Sequence, residues 1–183
     1  HLSSRRQRQM CIRDRMSGEN SAFDLLHKNI QQWIYKNGWE ELRPAQVESI
    51  KEIRQTSNHL IICSPTASGK TEAAMLPLIS ELLEKNIYEK SYIIYISPLK
   101  ALINDQFTRL ESLCKDNEIC VVPWHGDISS SIKKKIEKNN QAILLITPES
   151  LEAMLINTPT KAKLIFKHAC LLYTSDAADE SSS

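Results

Sequence analysis

No stretch of this sequence approaches the roughly 18–20 consecutive apolar residues that span a bilayer, which points away from a membrane partner. Its start, basic and Gln-rich, lacks the layout of a signal peptide. The five cysteines (Cys11, Cys63, Cys114, Cys120, Cys170) have neither CxxC spacing nor an even count. That argues against a disulfide framework and for free thiols in a reducing, cytoplasmic compartment. Glycine is scarce, with four in 183 residues, so any glycine-rich loop has to be an economical one. What is present is ordinary for a soluble globular domain. The chain is 42% apolar and 25% charged, and long enough to bury a core.

The two ends do not read as protein sequence. With one choice of codons, the DNA for Cys170–Asp179 (CLLYTSDAAD) has a reverse complement that, in a shifted frame, encodes Arg-Gln-Arg-Gln-Met-Cys-Ile-Arg-Asp. That is Arg6–Asp14. The string resembles a transposase-type sequencing-library adapter read through at both ends of an insert. Residues 1–15 and 169–183 are therefore expected to be non-native tails and 16–168 the natural span, cut from a longer gene. Within 16–168, Lys plus Arg number 18 and Asp plus Glu also 18. Nucleic-acid binding would have to come from local geometry instead of bulk charge.

Taken in order, apolar residues at Phe23, Leu26, Ile30, Trp33 and Ile34 have helical spacing, with Ser21 or Asp24 as a cap and Asn37-Gly38 as a stop. Arg43-Pro44-Ala45-Gln46 opens a second helix through about Gln55, with Pro44 at its first position and Val47, Ile50 and Ile53 on its apolar face. Leu60–Cys63 reads as a short buried strand and Thr71–Lys85 as a helix that Pro77 should kink or break. Further apolar strands are expected at Tyr92–Ile96, Ile119–Val122 and Ala142–Ile146. Helices should follow to about Cys114, near Ser129–Lys138 and to about Ile156. There is no internal repeat and no low-complexity linker. Apolar strands alternating with helices predict an α/β fold: a parallel sheet with helices on both faces.

Three of these strands run into a Ser/Thr-Pro pair: Cys63-Ser64-Pro65, Ile96-Ser97-Pro98 and Ile146-Thr147-Pro148. In the latter two, Ser or Thr suits the N-cap and Pro the first helical position. Ordinary capping accounts for any one instance. In a parallel sheet, however, all three ends share the carboxyl edge, where helix N-termini offer N–H groups to anions.

The stretch Ser64-Pro65-Thr66-Ala67-Ser68-Gly69-Lys70-Thr71 matches the Walker A pattern except at its first glycine, where Ser64 stands. In such a loop the backbone wraps the phosphates, Lys70 neutralises β/γ charge and Thr71 ligates Mg²⁺. The bland alternative is a capped helix with a surface lysine.

With these blocks in place, the sequence resembles superfamily 2 (DEAD/DEAH-type) ATP-dependent helicases across nearly all of 16–168, which implies a P-loop, RecA-like domain incomplete at its C-terminus. The resemblance implies ATP and Mg²⁺ as cofactors, with Thr66, Ala67, Ser68, Gly69, Lys70, Thr71 and Glu72 around the phosphates and Lys70 and Thr71 as catalytic groups. By the same resemblance, Gln46 reads the adenine edge, with Arg43 or Trp39 nearby. Pro98, Leu99, Lys100 and Ala101 look like motif Ia, Gly126 and Asp127 like the turn after it, and Thr147, Pro148 and Glu149 like motif Ib. Together they imply contacts to the backbone of a nucleic-acid strand. His125 suggests a metal, but no second ligand is spaced for it. GKTEAA, SPLKALINDQ, WHGD and TPESLE resemble the large helicase-related (Lhr) and Ski2-like groups, with DNA favoured over RNA. The alternatives are a DEAD-box-type RNA helicase, whose motif Ia more usually reads PTREL, and a P-loop ATPase switch that binds no nucleic acid. The family's Walker B Asp-Glu pair and its second RecA-like domain are not matched in this sequence, since Asp179-Glu180 lies in the adapter-like tail. The fragment is therefore expected to hydrolyse nothing.

Overall fold

In the computed structural model, which describes residues 21–63, 65, 69–126 and 135–174, the chain divides into two units, residues 1–84 and 85–183. The first unit is helical. Ser21 caps a 3-10 turn, Ala22–Leu25, by accepting from the Asp24 N–H at 3.3 Å. Helix α1 spans Lys28–Lys36. The single helix expected from Ser21 is thus split, because Leu26 is extended (φ −84°, ψ 147°). The Gln31 amide donates to the Phe23 and Leu26 carbonyls at 3.1 and 2.9 Å and so satisfies the acceptors the break leaves. The split buries both Phe23 and Leu26. At its other end α1 stops where the sequence says. Gly38 has φ +71°, its N–H reaches Tyr35 O at 3.1 Å, and the Trp39 N–H reaches Ile34 O at 3.3 Å. This is a Schellman cap with glycine in the left-handed position.

Helix α2 spans Pro44–Gln55 with Pro44 at its first position, as expected. It packs on α3, Lys70–Glu84. Pro77 does not break α3. Losing one N–H and crowding the preceding turn costs about 3 kcal/mol in an ordinary helix interior. Here every residue from Ala73 to Ser80 is buried, and that apolar face holds the helix through the proline. The expected strand at Leu60–Cys63 is absent: these residues form no regular element, and Ile61 is 86% exposed.

The second unit is a four-stranded parallel sheet, order β2-β3-β1-β4. Its strands are β1 Ser91–Ile96, β2 Cys120–Trp124, β3 Gln141–Ile146 and β4 Ala169–Thr174. Helix α4, Lys100–Cys114, joins β1 to β2. The Lys-rich region contributes the short α5, Lys135–Lys138; the rest of the helix expected there lies outside the described residues. Helices α6, Pro148–Asn157, and α7, Pro159–Lys167, connect β3 to β4. The sequence pattern did not separate α7; Thr158 and Pro159 restart the chain there as Thr147 and Pro148 do for α6.

Side-chain alternation sorts this core into two faces. Tyr92, Ile94, Val122, Trp124, Ala142, Leu144 and Ile146 pack with Ile136, Met154, Ala162 and Ile165 from α5, α6 and α7. Ile93, Tyr95, Ile143 and Leu145 point the other way and are also buried, and α4 packs against β2 and β3. The expected parallel sheet with helices is therefore present. Strand β4 falls in the segment expected to be a non-native tail; Ala-Cys-Leu-Leu-Tyr-Thr is apolar enough to pair with β1. Among the described residues, no helix is long and apolar enough to cross a membrane.

Candidate nucleotide and nucleic-acid sites

In the first unit, the residues expected around a nucleotide gather at the start of α3. Gly69 has φ +83°, and its carbonyl accepts the Ala73 N–H at 2.8 Å, the first bond of the helix. A Cβ at Gly69 would stand 2.6 Å from Gln46 Nε2, so only glycine fits both the backbone and the space. Gln46 is 2% exposed. Its Oε1 accepts the Arg43 N–H at 2.9 Å, and its Nε2 faces the glycine. One amide thus caps the start of α2 and packs against the glycine that opens α3. Lys70, Thr71 and Glu72 occupy the first turn of α3, half-buried, and Glu72 Oε2 lies 3.6 Å from the position of a Gly69 Cβ. Trp39 packs edge-on against Trp33, with centroids 5.6 Å apart. Ser64, Thr66, Ala67 and Ser68 lie outside the described residues.

These groups suit a Mg²⁺–nucleotide. The helix N-terminus presents N–H groups and a positive dipole end to phosphate, and Lys70 and Thr71 supply the cation and the hydroxyl.

In the second unit, the expected strand-reading residues do share one edge. β1 and β3 run in register to Ile96↔Ile146, and β2 and β3 to Trp124↔Ile146. Pro98–Ala101, His125-Gly126 and Thr147–Glu149 therefore leave the same carboxyl ends. Leu99, Lys100, Ala101, Gly126, Pro148 and Glu149 are exposed there, and Pro98 is partly so. Asp127 lies outside the described residues. Thr147 caps α6 as expected, accepting the Ser150 N–H at 3.3 Å with Pro148 next in line.

Ser97 departs from its expected role. The N-cap of α4 is Leu99, with no side-chain cap bond. Ser97 instead continues the sheet, its N–H donating to Ile146 O at 3.1 Å. Its hydroxyl is buried without a hydrogen-bond partner. The two residues inserted before α4 begins turn the proline and Leu99 outward.

His125 is 3% exposed and pairs through Nε2 with Asn104 Oδ1 at 3.2 Å. No group of three metal-ligating side chains exists among the described residues. Cys63, Cys114 and Cys120 are free thiols; burial pushes the Cys114 thiol up to about 12, which keeps it protonated and inert.

A parallel sheet with a glycine-opened, lysine-bearing helix start defines the P-loop, RecA-like class of nucleotide-binding domains. The DEAD/DEAH box helicase family matches residues 43–178, and the chain belongs to that family. The ATP-dependent helicase Lhr-Core of Methanocaldococcus jannaschii is 35% identical over 163 residues, covering 80% of this chain and 19% of that protein. The chain spans about a fifth of the length of such relatives. Among solved structures, the DUF1998 helicase MrfA bound to DNA and AMPPNP has a TM-score of 0.72 at 23% identity, over 82% of this chain and 21% of that one. The RNA helicase Prp28 of Chaetomium thermophilum bound to ADP has a TM-score of 0.64 at 18% identity, over 85% and 45%. Both likenesses concern the fold.

Proposed function

We propose that the chain is the N-terminal part of the first RecA-like domain of a cytoplasmic, Lhr-like, ATP-dependent helicase, which couples ATP hydrolysis to movement along a DNA strand. The observation that carries this reading is the Gln46–Gly69 contact at the head of α3. It sets a left-handed glycine, Lys70 and Thr71 where a triphosphate would be held. Gln46 and Arg43 position the adenine end, and the loop 66–69 wraps the phosphates. Lys70 would balance their charge, Thr71 would offer a Mg²⁺ ligand, and Glu72 stands in the same helical turn beside Gly69. When bound, Mg²⁺–ATP supplies the phosphoryl group whose transfer to water drives the motion. Along the other unit's sheet edge, Lys100 and the backbone of Pro98–Ala101, Gly126 and Asp127 hold a nucleic-acid backbone. Thr147 and Pro148 fix the start of α6, and Glu149, an acceptor only, suits a sugar hydroxyl or base amine and not a phosphate.

We also propose that this chain binds nucleotide without hydrolysing it. Its only Asp-Glu pair, Asp179-Glu180, lies in the adapter-like tail and outside the described residues. The tails 1–15 and 169–183 are read as non-native. In support, the β1–β4 register slips between Tyr92 and Ile93, leaving Cys170 as an extra residue where the adapter-like string begins. A second RecA-like domain would be the natural partner within the same protein.

The test is titration of the chain with a fluorescent ATP analogue, together with a phosphate-release assay in the presence of single-stranded DNA. The chain should bind the analogue, Lys70→Ala should not, and neither should release phosphate. Equal binding by Lys70→Ala would overturn the site; phosphate release that Lys70→Ala abolishes would overturn the inactivity.

A further inference from the structure

The turn after β2 is held by one helix face. His125 lies one residue past the end of β2, and its ring is buried. Its Nε2 meets Asn104 Oδ1 of α4 at 3.2 Å; with the amide oxygen facing the ring, Nε2 carries the proton and donates. The next residue, Gly126, faces Lys100. Among the described residues, a Cβ built on Gly126 would find only Lys100 Nζ within 4 Å, at 3.9 Å. Lys100 and Asn104 are four residues apart on α4 and so lie on one face. Two consecutive turn residues are thus registered against two residues one helical turn apart.

The space beside Gly126 bears on what this registration does. Its backbone is not in the left-handed region, and its described neighbours would admit a methyl group at ordinary contact distance. Neither its backbone nor its described neighbours therefore demand glycine there. An exposed glycine beside a lysine is what a close-approaching phosphate requires.

We infer that Asn104, acting through His125, is a positioning residue that aligns the Gly126 backbone with Lys100 as one phosphate-gripping unit for a nucleic-acid strand. The inference rests on the proposed nucleic-acid reading of this edge. Asn104 touches no phosphate itself. It fixes the ring, the ring fixes the turn, and the turn's glycine is thereby kept beside the ammonium group on the same helix face. The bond is directional. A glutamine at 125 places its amide Nε2 at nearly the same reach and can still donate to Asn104, whereas an asparagine is one carbon too short.

The experiment uses the full chain and a fluorescently labelled oligothymidylate in a salt titration, with amide hydrogen exchange at Gly126 measured in parallel. Asn104→Ala and His125→Asn should each weaken binding roughly tenfold and speed Gly126 exchange, and the double variant should be no worse than either single one. The slope of log K against log salt should fall by about one in each. His125→Gln should retain near-parental affinity, slope and exchange. A merely structural role would make His125→Gln and His125→Asn alike, or would leave the salt slope unchanged, and either outcome overturns the inference. Binding that Asn104→Ala leaves untouched overturns it alone. A parental chain that binds no oligonucleotide removes the nucleic-acid reading and this inference together.

Discussion

Leu60–Cys63 and Ala142–Ile146 are both short, wholly apolar runs ending in Ser/Thr-Pro, yet one is an exposed irregular segment and the other a buried strand. Residues 142–146 pair on both sides, with β1 and with β2 in unbroken register, and all are buried. Leu60 and Ile61 are exposed, at 38% and 86%, and belong to no strand. The difference teaches that an apolar run by itself specifies neither burial nor a strand; both follow only where its backbone N–H and C=O groups find partners. The helix starts that follow are secured by correspondingly different means. α6 is fixed by a strand and an N-cap threonine, whereas α3 is fixed by a glycine and a neighbouring helix's glutamine.

The widest gap is expected between the runs themselves. Ile143→Ala removes a fully buried side chain from β3 and should cost about 2–5 kcal/mol by denaturant unfolding. Ile61→Ala should stay within about 0.5 kcal/mol. A large loss at Ile61 would show that the segment is buried in solution and would erase the contrast. Next comes the glycine that secures α3. Gly69→Ala meets both a positive φ and Gln46 at 2.6 Å, and should cost about 1–3 kcal/mol and weaken nucleotide binding. Gly38→Ala has a similar φ but nothing within 4 Å, so strain alone should cost about 1 kcal/mol. Equal losses would mean that the Gln46 contact does not matter.

At α6, Thr147→Ala removes the cap to Ser150 and should cost about 0.5–2 kcal/mol. Ser97→Ala, at the matching end of β1, removes a buried hydroxyl that has no partner and should be neutral or slightly stabilising. Thermal unfolding of the two variants separates a cap from a strand continuation where the sequence made them look identical.

The sequence displayed what depends on local pattern. Apolar runs located β1, β2 and β3 to within two residues, Pro44 and Pro148 marked helix starts, and Asn37-Gly38 marked a stop. It could not display what depends on partners. The split before α1 follows from Gln31 satisfying two carbonyls and from Ser80 accepting the His27 N–H at 3.0 Å from a helix 53 residues away. Pro77 survives inside α3 because the surrounding turn is buried on every residue. Of the candidate sites, Gln46 and Gly69 were named separately from motif resemblance, but their mutual contact was not foreseeable. Asn104 carried no signal beyond its four-residue spacing from Lys100.

The smallest effect concerns how the chain enters the exposed run. At the end of α2, Thr56 Oγ1 and Asn58 Nδ2 each donate to Glu52 Oε1 at 3.0 Å, and the Asn58 N–H donates to Thr56 Oγ1 at 3.2 Å. The Asn58 and Thr56 hydrogen bonds hold the Glu52 carboxyl below its ordinary value of 4.5. A carboxylate favoured in the folded state stabilises that state at pH values above 4.5, where the unfolded chain is ionised too; the contribution is lost as pH falls through the lowered value. Amide exchange at Asn58, corrected for intrinsic rate, should therefore be slower at pH 5.5 than at pH 3, and Glu52→Gln should flatten that dependence. Ala142–Ile146, whose order comes from backbone pairing, should show no such pH dependence. If both runs loosen together on acidification, the carboxylate clasp is not what distinguishes them.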